Sequence, residues 1–196
     1  MQNQKRFSET IQAFDEANRQ DPHLERVGEQ QVPKELLYAQ RMTEMLHDFA
    51  PDASEALQLA ARCQHIRRWE IPRETYPMDR KGYLLWRSEL KKFHGELAND
   101  IMRQHGYDEG AIERVVELLQ KRRLKTDPEV QILEDVICLV FLKYYFAEFS
   151  AKHPDEKIIE IIQKTWKKMS DKAHNAALRL SFSEREGKII EKALGE

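Results

Sequence analysis

The residues able to do chemistry are few, and the most conspicuous is Asp135. It sits inside the most apolar stretch of the chain, Pro128 to Ser150, beside Leu133, Val136, Ile137 and Leu139. An ionised carboxylate in such surroundings is costly unless it is paired or bound to a metal. Two readings stay open: a buried ion pair with an arginine, or a metal ligand or catalytic acid. Glu134 precedes it and could accept a proton or orient a ligand. His65 lies on the small-residue face of an alanine-rich segment, with Arg67 and Arg68 directly after it. A lone histidine on such a face is most often a hydrogen-bonded core residue. A histidine, two arginines and a loop at one helix end look more like a site. His94, beside Phe93 and Leu97, is unremarkable by itself.

From Arg67 to Lys92 the chain carries eight basic residues against four acids, with Trp69, Tyr76, Tyr83 and Trp86 interleaved. Arginine grips phosphate or carboxylate with two hydrogen bonds, and aromatic rings can stack a base or sugar. Arg67, Arg68, Arg73 and Arg41, with Trp69, are the candidate contacts to an anion. The blander alternative is a solvated basic face whose aromatics anchor a loop. A second basic run, Lys121, Arg122, Arg123 and Lys125, reads as a helix C-terminus complementing its dipole. His47-Asp48 reads as a helix-end feature. No Gly-rich phosphate loop, His-Glu-x-x-His or nucleophile elbow is present.

The elements that must position these residues are helical. Ile11, Phe14 and Ala17 recur at spacings of three, and the segment Pro33 to Phe49 carries Leu36, Leu37, Met42, Met45, Leu46 and Phe49. Gly28 to Pro33 reads as a connector. Asp52 with Glu55 resembles a capping box opening a helix that runs to Trp69. Glu70 to Gly82, with Pro72 and Pro77, reads as a long loop. A helix from Tyr83 to His105 stops at Gly106, Asp108 opens another, and Asp127-Pro128 opens the apolar one. Asp155 and Ser183 open the last two. The expected fold is all-α: a single domain over residues 1–196, with about seven to nine helices around the central apolar helix Pro128 to Ser150.

Composition sets the outer limits. The 196 residues are 41% hydrophobic and 34% charged, with 7 Gly and 7 Pro. That excludes collagen-like, low-complexity and disulfide-scaffold classes. The longest apolar run, Val136 to Leu142, is too short to span a bilayer, and the polar start is no signal segment. A cytoplasmic setting without membrane contact is the expectation. Cys63 and Cys138 fit reduced core thiols. The net charge of −2 gives no global pull toward nucleic acid.

Several runs resemble the uncharacterised family DUF4202. They include Leu36-Leu37-Tyr38-Ala39-Gln40-Arg41-Met42, Leu59-Ala60-Ala61-Arg62-Cys63-Gln64-His65-Ile66-Arg67-Arg68-Trp69 and Leu133-Glu134-Asp135-Val136. Ile71-Pro72-Arg73, Gly82-Tyr83, Trp86-Arg87 and Thr165-Trp166 agree as well. More distantly, the order of elements resembles the HD-domain superfamily of metal-dependent phosphohydrolases. That resemblance implies His65 and Asp135 as metal ligands, with His94 as an intermediate histidine. Tyr38 and Ile66 stand where two further ligands belong. One divalent metal (Zn, Mn or Fe) on His65, His94 and Asp135 would leave an open position for activated water. Three functions follow as expectations. The first is a metal-dependent hydrolase of a phosphorylated or anionic small molecule. The second is a metal-free binding module for a nucleotide or other anion, and the third a helical scaffold for a protein or RNA partner.

Overall fold

Aspartate and serine punctuation translates into structure at six helix starts. The side chains of Ser54, Asp79, Asp108, Asp127, Ser170 and Ser183 each accept a backbone N–H from the first turn that follows, satisfying donors that have no partner within the helix. Ser183 and Glu186 complete a reciprocal capping box. At two starts the cap is not the expected residue. Ser54, not Asp52, caps the alanine-rich helix by accepting from Leu57 N at 3.1 Å, and Pro154 precedes the helix that Asp155 was expected to cap.

The computed structural model describes residues 2–124 and 126–195, so Lys125 of the second basic run lies outside the described residues. The helices are α1 (Gln2–Arg19), α2 (Lys34–Phe49), α3 (Glu55–Arg62), α4 (Arg80–Gln104), α5 (Glu109–Gln120), α6 (Pro128–Val140), α7 (Phe146–Ala151), α8 (Asp155–Trp166), α9 (Asp171–Ala177) and α10 (Glu184–Leu194). The fold is an all-α bundle in one domain. No described helix is long and apolar enough to cross a membrane. Among the described residues ten helices stand where about seven to nine were expected. The expected central helix is divided, and the short α9 carries too little apolar pattern to be read from sequence.

The division falls at a π-helical turn, Phe141–Tyr145, between α6 and α7. Such turns are rare and concentrate at functional sites. The expected connector before α2 is a β-hairpin: β1 (Leu24–Val27) pairs antiparallel with β2 (Gln30–Pro33), Val27 opposite Gln30. Gly28, at φ 61°, supplies the left-handed geometry that a two-residue hairpin turn needs. Strands this short, and mostly exposed, have no buried face to leave an alternating pattern. The helix expected to continue to Trp69 stops at Arg62. The chain then turns through Gln64 and His65 into a 3-10 turn at Arg68–Glu70.

The core is continuous. Phe14 of α1, Met42 and Leu46 of α2, Leu57 and Leu59 of α3, Met102 of α4, Leu118 of α5 and Leu133 and Leu139 of α6 are all at most 2% exposed. Each such side chain contributes about 1.5–3 kcal/mol of burial. Cys63 and Cys138 are buried free thiols, and burial pushes the Cys138 thiol up to about 12. Both fit the core reading.

The loop expected between residues 70 and 82 is tied down. The Arg73 guanidinium donates to the carbonyls of Tyr76, Pro77 and Asp79 at 2.7–3.2 Å. Gly82 packs directly beneath it; a Cβ there would come within 2.1 Å of the Pro77 carbonyl oxygen. Gly82→Ala should therefore force the loop off α4 and cost about 1–3 kcal/mol, read as a drop in urea midpoint, whereas Gly187→Ala, with open space at its Cβ, should not destabilise.

Candidate anion-binding site

Seven elements meet around a pocket of about 370 Å³. The N-terminus of α2 brings Lys34, Glu35 and Tyr38, and the turn after α3 brings Gln64, His65 and Arg68. The first half of α4 brings Tyr83 and Arg87, and the end of α5 brings Lys121. From α6 and the π-turn come Glu134, Ile137, Cys138, Phe141 and Tyr145, and from the end of α8 Thr165 and Lys168. Five basic side chains thus face two acids.

The local backbone explains how two of these cations arrive. Arg67 sits at φ 49° and Lys121 at φ 56°, the left-handed region that costs a side-chain-bearing residue about 1–2 kcal/mol. The Arg67 strain is held by Asn18 of α1, whose side-chain oxygen accepts the Arg67 N–H at 3.0 Å. That kink aims the chain so that Arg68, not Arg67, enters the pocket. The α2 end is held by Asp21, 4% exposed, which accepts the Glu35 N–H at 3.0 Å and the His23 N–H at 2.9 Å. Pro33 has no side-chain oxygen to cap α2, and Asp21 does it from across the hairpin.

At the centre stands His65. Arg68 Nη1 lies 2.7 Å from its Nε2. A guanidinium only donates, so Nε2 is the acceptor and the imidazole proton sits on Nδ1; the same arginine nitrogen is 3.4 Å from Nδ1, too far to compete. Nδ1 in turn faces Glu35 Oε2 at 3.3 Å. Tyr38, standing where the HD-like order expects a histidine, stacks on the imidazole with centroids 4.0 Å apart and planes 12° apart. Burial, reinforced by Arg68, keeps His65 neutral with its pKa well below the usual value. Burial pushes the Glu35 carboxyl the other way, up to about 7, with Arg68 opposing. Behind His65, 6.0 Å between centroids, His94 donates from Nδ1 to the Ile66 carbonyl at 2.8 Å. Its Nε2 is buried with no partner among the described residues, and burial lowers the imidazole's pKa to about 3.

The structure separates residues that the sequence grouped together. Asp135 does not join His65 and His94. Its carboxylate accepts Ser170 N at 2.8 Å, Ser170 Oγ at 2.5 Å and Gln131 Nε2 at 3.0 Å. That ties α6 to the start of α9, and Asp135 is no part of the pocket wall. Among the described residues no three His, Cys, Asp or Glu side chains form a group able to hold a metal. Glu134 does line the pocket, paired with Lys121 and, at 3.7 Å, with Lys168. Burial works against its ionisation, but the two lysines outweigh it and hold the carboxyl below its usual range.

Of the arginines expected to grip an anion, only Arg68 is placed to do so. Arg41 is bound to Glu25 of β1 at 2.5 Å and lies over Tyr144 and Tyr145. Arg67 pairs with Glu70, and Arg73 braces its loop. Trp69 is half-buried in the turn and does not reach the pocket. Lys34, Glu35, Arg87 and Lys168 were missed. The only signal for Glu35 in the sequence was its place in the first turn of an amphipathic helix, which describes dozens of surface glutamates.

A family model described as Domain of unknown function (DUF4202) matches residues 8–190. The chain belongs to the DUF4202 family. The match takes in every DUF4202-like run noted in the sequence and all the pocket residues. No curated protein and no solved structure matches, and the more distant likeness to the HD superfamily is not carried by the DUF4202 match.

Two outcomes follow from this geometry. Asp135→Ala should cost about 2–3 kcal/mol, because Ser170 and Gln131 lose a charged acceptor, while leaving ligand binding in the surviving fold unchanged; urea unfolding and ligand titration of the same variant check both. The pH dependence has two opposed parts. Neutral His94 contributes stability present above about 6.5 that is lost as pH falls toward about 3, and His65, held well below its usual value by burial, acts in the same direction. Glu35, raised from 4.5 to about 7, contributes stability present below pH 4.5 that is lost as pH rises through about 7. Glu35→Gln should thus gain stability relative to the parent chain between pH 4.5 and 7, by at most about 3 kcal/mol, in urea series across that range.

Proposed function

We propose that the pocket binds a small phosphorylated molecule, with a nucleotide as the best-fitting class, through protein groups alone. The observation that carries this reading is the convergence of Lys34, Arg68 and Arg87 on one pocket wall with no carboxylate within ion-pair distance of any of them among the described residues. Positive charge gathered at a concave surface without counter-charge concentrates anions there, and Arg68 and Arg87 offer the forked donors that suit phosphate. Tyr38, Tyr83, Phe141 and Tyr145 line the same space and give a base or sugar aromatic surface to stack on. The pocket-lining Gln64 side-chain oxygen is buried with no hydrogen-bond partner among the described residues. Buried polar atoms are seldom left so, and a ligand's base edge would satisfy this one. The volume of about 370 Å³ falls in the range of small-molecule sites, roughly 300–1,000 Å³.

The single-metal hydrolase reading needs Asp135 as a ligand, and Asp135 is committed to Ser170; this favours the metal-free reading. A nucleic-acid strand or acidic protein would need an extended basic track. The cations here instead face inward on a pocket, in a chain of net charge −2.

Thermal denaturation in EDTA against a panel of nucleoside mono- and diphosphates and sugar phosphates tests the proposal. A ligand at a hundred times its Kd adds about 2.7 kcal/mol, a rise in Tm of roughly 5–10 °C for a chain of this size. At least one compound should give such a shift, shrinking as salt is raised. Arg87→Ala and Lys34→Ala should each weaken binding at least tenfold. A Tm unmoved by every compound at millimolar concentration would overturn the reading.

A further inference from the structure

The pocket holds more than a charge cradle. Two titratable groups in its wall sit 3.3 Å apart and are driven by their surroundings in opposite directions. His65 is kept neutral by burial and by the nearby charges of Arg68, Arg87 and Lys121. Glu35 is kept protonated toward neutrality by burial and by Asp21 and Glu25, against Arg68 and Lys34. Neighbouring groups pushed apart in this way supply a base and an acid at the same pH. A purely structural buried carboxylate is normally ionised and paired, as Glu134 is; Glu35 Oε1 has no hydrogen-bond partner among the described residues.

We propose that Glu35 and His65 are an acid–base pair that hydrolyses a phosphomonoester held at Arg68 without a metal ion. This rests on the pocket being a phosphate site. In the free protein Arg68 occupies the His65 Nε2 lone pair at 2.7 Å. A phosphate entering the pocket competes for that guanidinium and frees the lone pair. A water oxygen then bonds to phosphorus as the ester P–O bond breaks. The water's proton passes to His65 Nε2, and the Glu35 carboxyl proton passes to the leaving oxygen. Alcohol and inorganic phosphate are released, and one water is consumed. The pair is left as imidazolium and carboxylate; as product leaves, the Nε2 proton passes to solvent and Glu35 takes a proton from solvent, which restores the starting tautomer and the protonated carboxyl. Tyr38, stacked on the ring, keeps the imidazole in plane for both transfers.

The leaving group provides the test. p-Nitrophenolate departs without help from an acid, whereas the ribose oxygen of a nucleoside monophosphate needs a proton. Phosphate release is measured in EDTA with p-nitrophenyl phosphate and with each nucleoside monophosphate that raises the Tm. His65→Asn should lower turnover of both substrate types at least 100-fold. The isosteric Glu35→Gln should lower nucleoside monophosphate turnover at least 100-fold, leave p-nitrophenyl phosphate within about fivefold, and remove the fall in rate above neutral pH. Binding, followed by Tm shift, should stay within a few-fold in both variants, which also reports that they fold. A nucleotide that binds but survives intact would overturn the acid–base proposal while sparing the binding one. Turnover that disappears in EDTA, or a Glu35→Gln loss equal for both substrates, would overturn it too. Failure of every phosphoester to bind would overturn both.

Discussion

A guanidinium with no carboxylate partner is the constraint around which this part of the molecule is built. Arg68 is partly withdrawn from water, and burial lowers its pKa. It donates to a neutral imidazole and lies 4.9 Å from the centroid of the Trp86 ring. Neither is a counter-ion. A charge so placed is costly unless something else in the fold holds it there. The left-handed turn at Arg67, the Asn18 oxygen that secures it, and Trp86, itself bound through Nε1 to the Ile71 carbonyl at 2.8 Å, share that work. Arg73 contributes by fastening the loop over which Trp86 and Tyr83 stand.

The same unpaired charge organises its neighbours' protonation. Because Arg68 donates to Nε2, His65 must carry its proton on Nδ1, the ring nitrogen that lies 3.3 Å from Glu35 Oε2. Glu35 and Glu134 are both glutamates on the wall of one pocket, yet they differ in state. Glu134 has two lysines within ion-pair distance, and attraction overcomes burial. Glu35 has only an imidazole at that distance, and burial outweighs the more distant Arg68 and Lys34. A polar site with one acid ionised and one neutral at the same pH is a consequence of where two lysines fall.

Asp135 shows how far residue type alone can mislead. A carboxylate in the most apolar helix does need a partner, and it has three hydrogen bonds. They come from Gln131 one turn earlier and from Ser170 at the start of a seven-residue helix. The buried acid is a fastening between α6 and α9, while the carboxylates that line the pocket are Glu134, one position earlier, and Glu35 on α2.

The sequence by itself determined the helical class, most helix starts and the core stripes, and it pointed to the stretch from Arg67 to Lys92, of which Arg68, Tyr83 and Arg87 line the pocket. Each of these depends on local spacing: apolar residues three and four apart, or a side-chain oxygen just ahead of a helix. The hairpin, the π-turn, the end of α3 and the make-up of the pocket were decided only in three dimensions. Four-residue strands and a one-residue widening of a helix leave no periodic trace. Whether an arginine grips a ligand, a loop or a neighbouring glutamate depends on partners dozens of residues away: Arg41 and Glu25 are 16 apart in sequence. Glu35 and His65 belong to different elements, and nothing in the local pattern of either announces the other. Their opposite protonation comes from burial and from the charges packed around them, which exist only once the chain has folded.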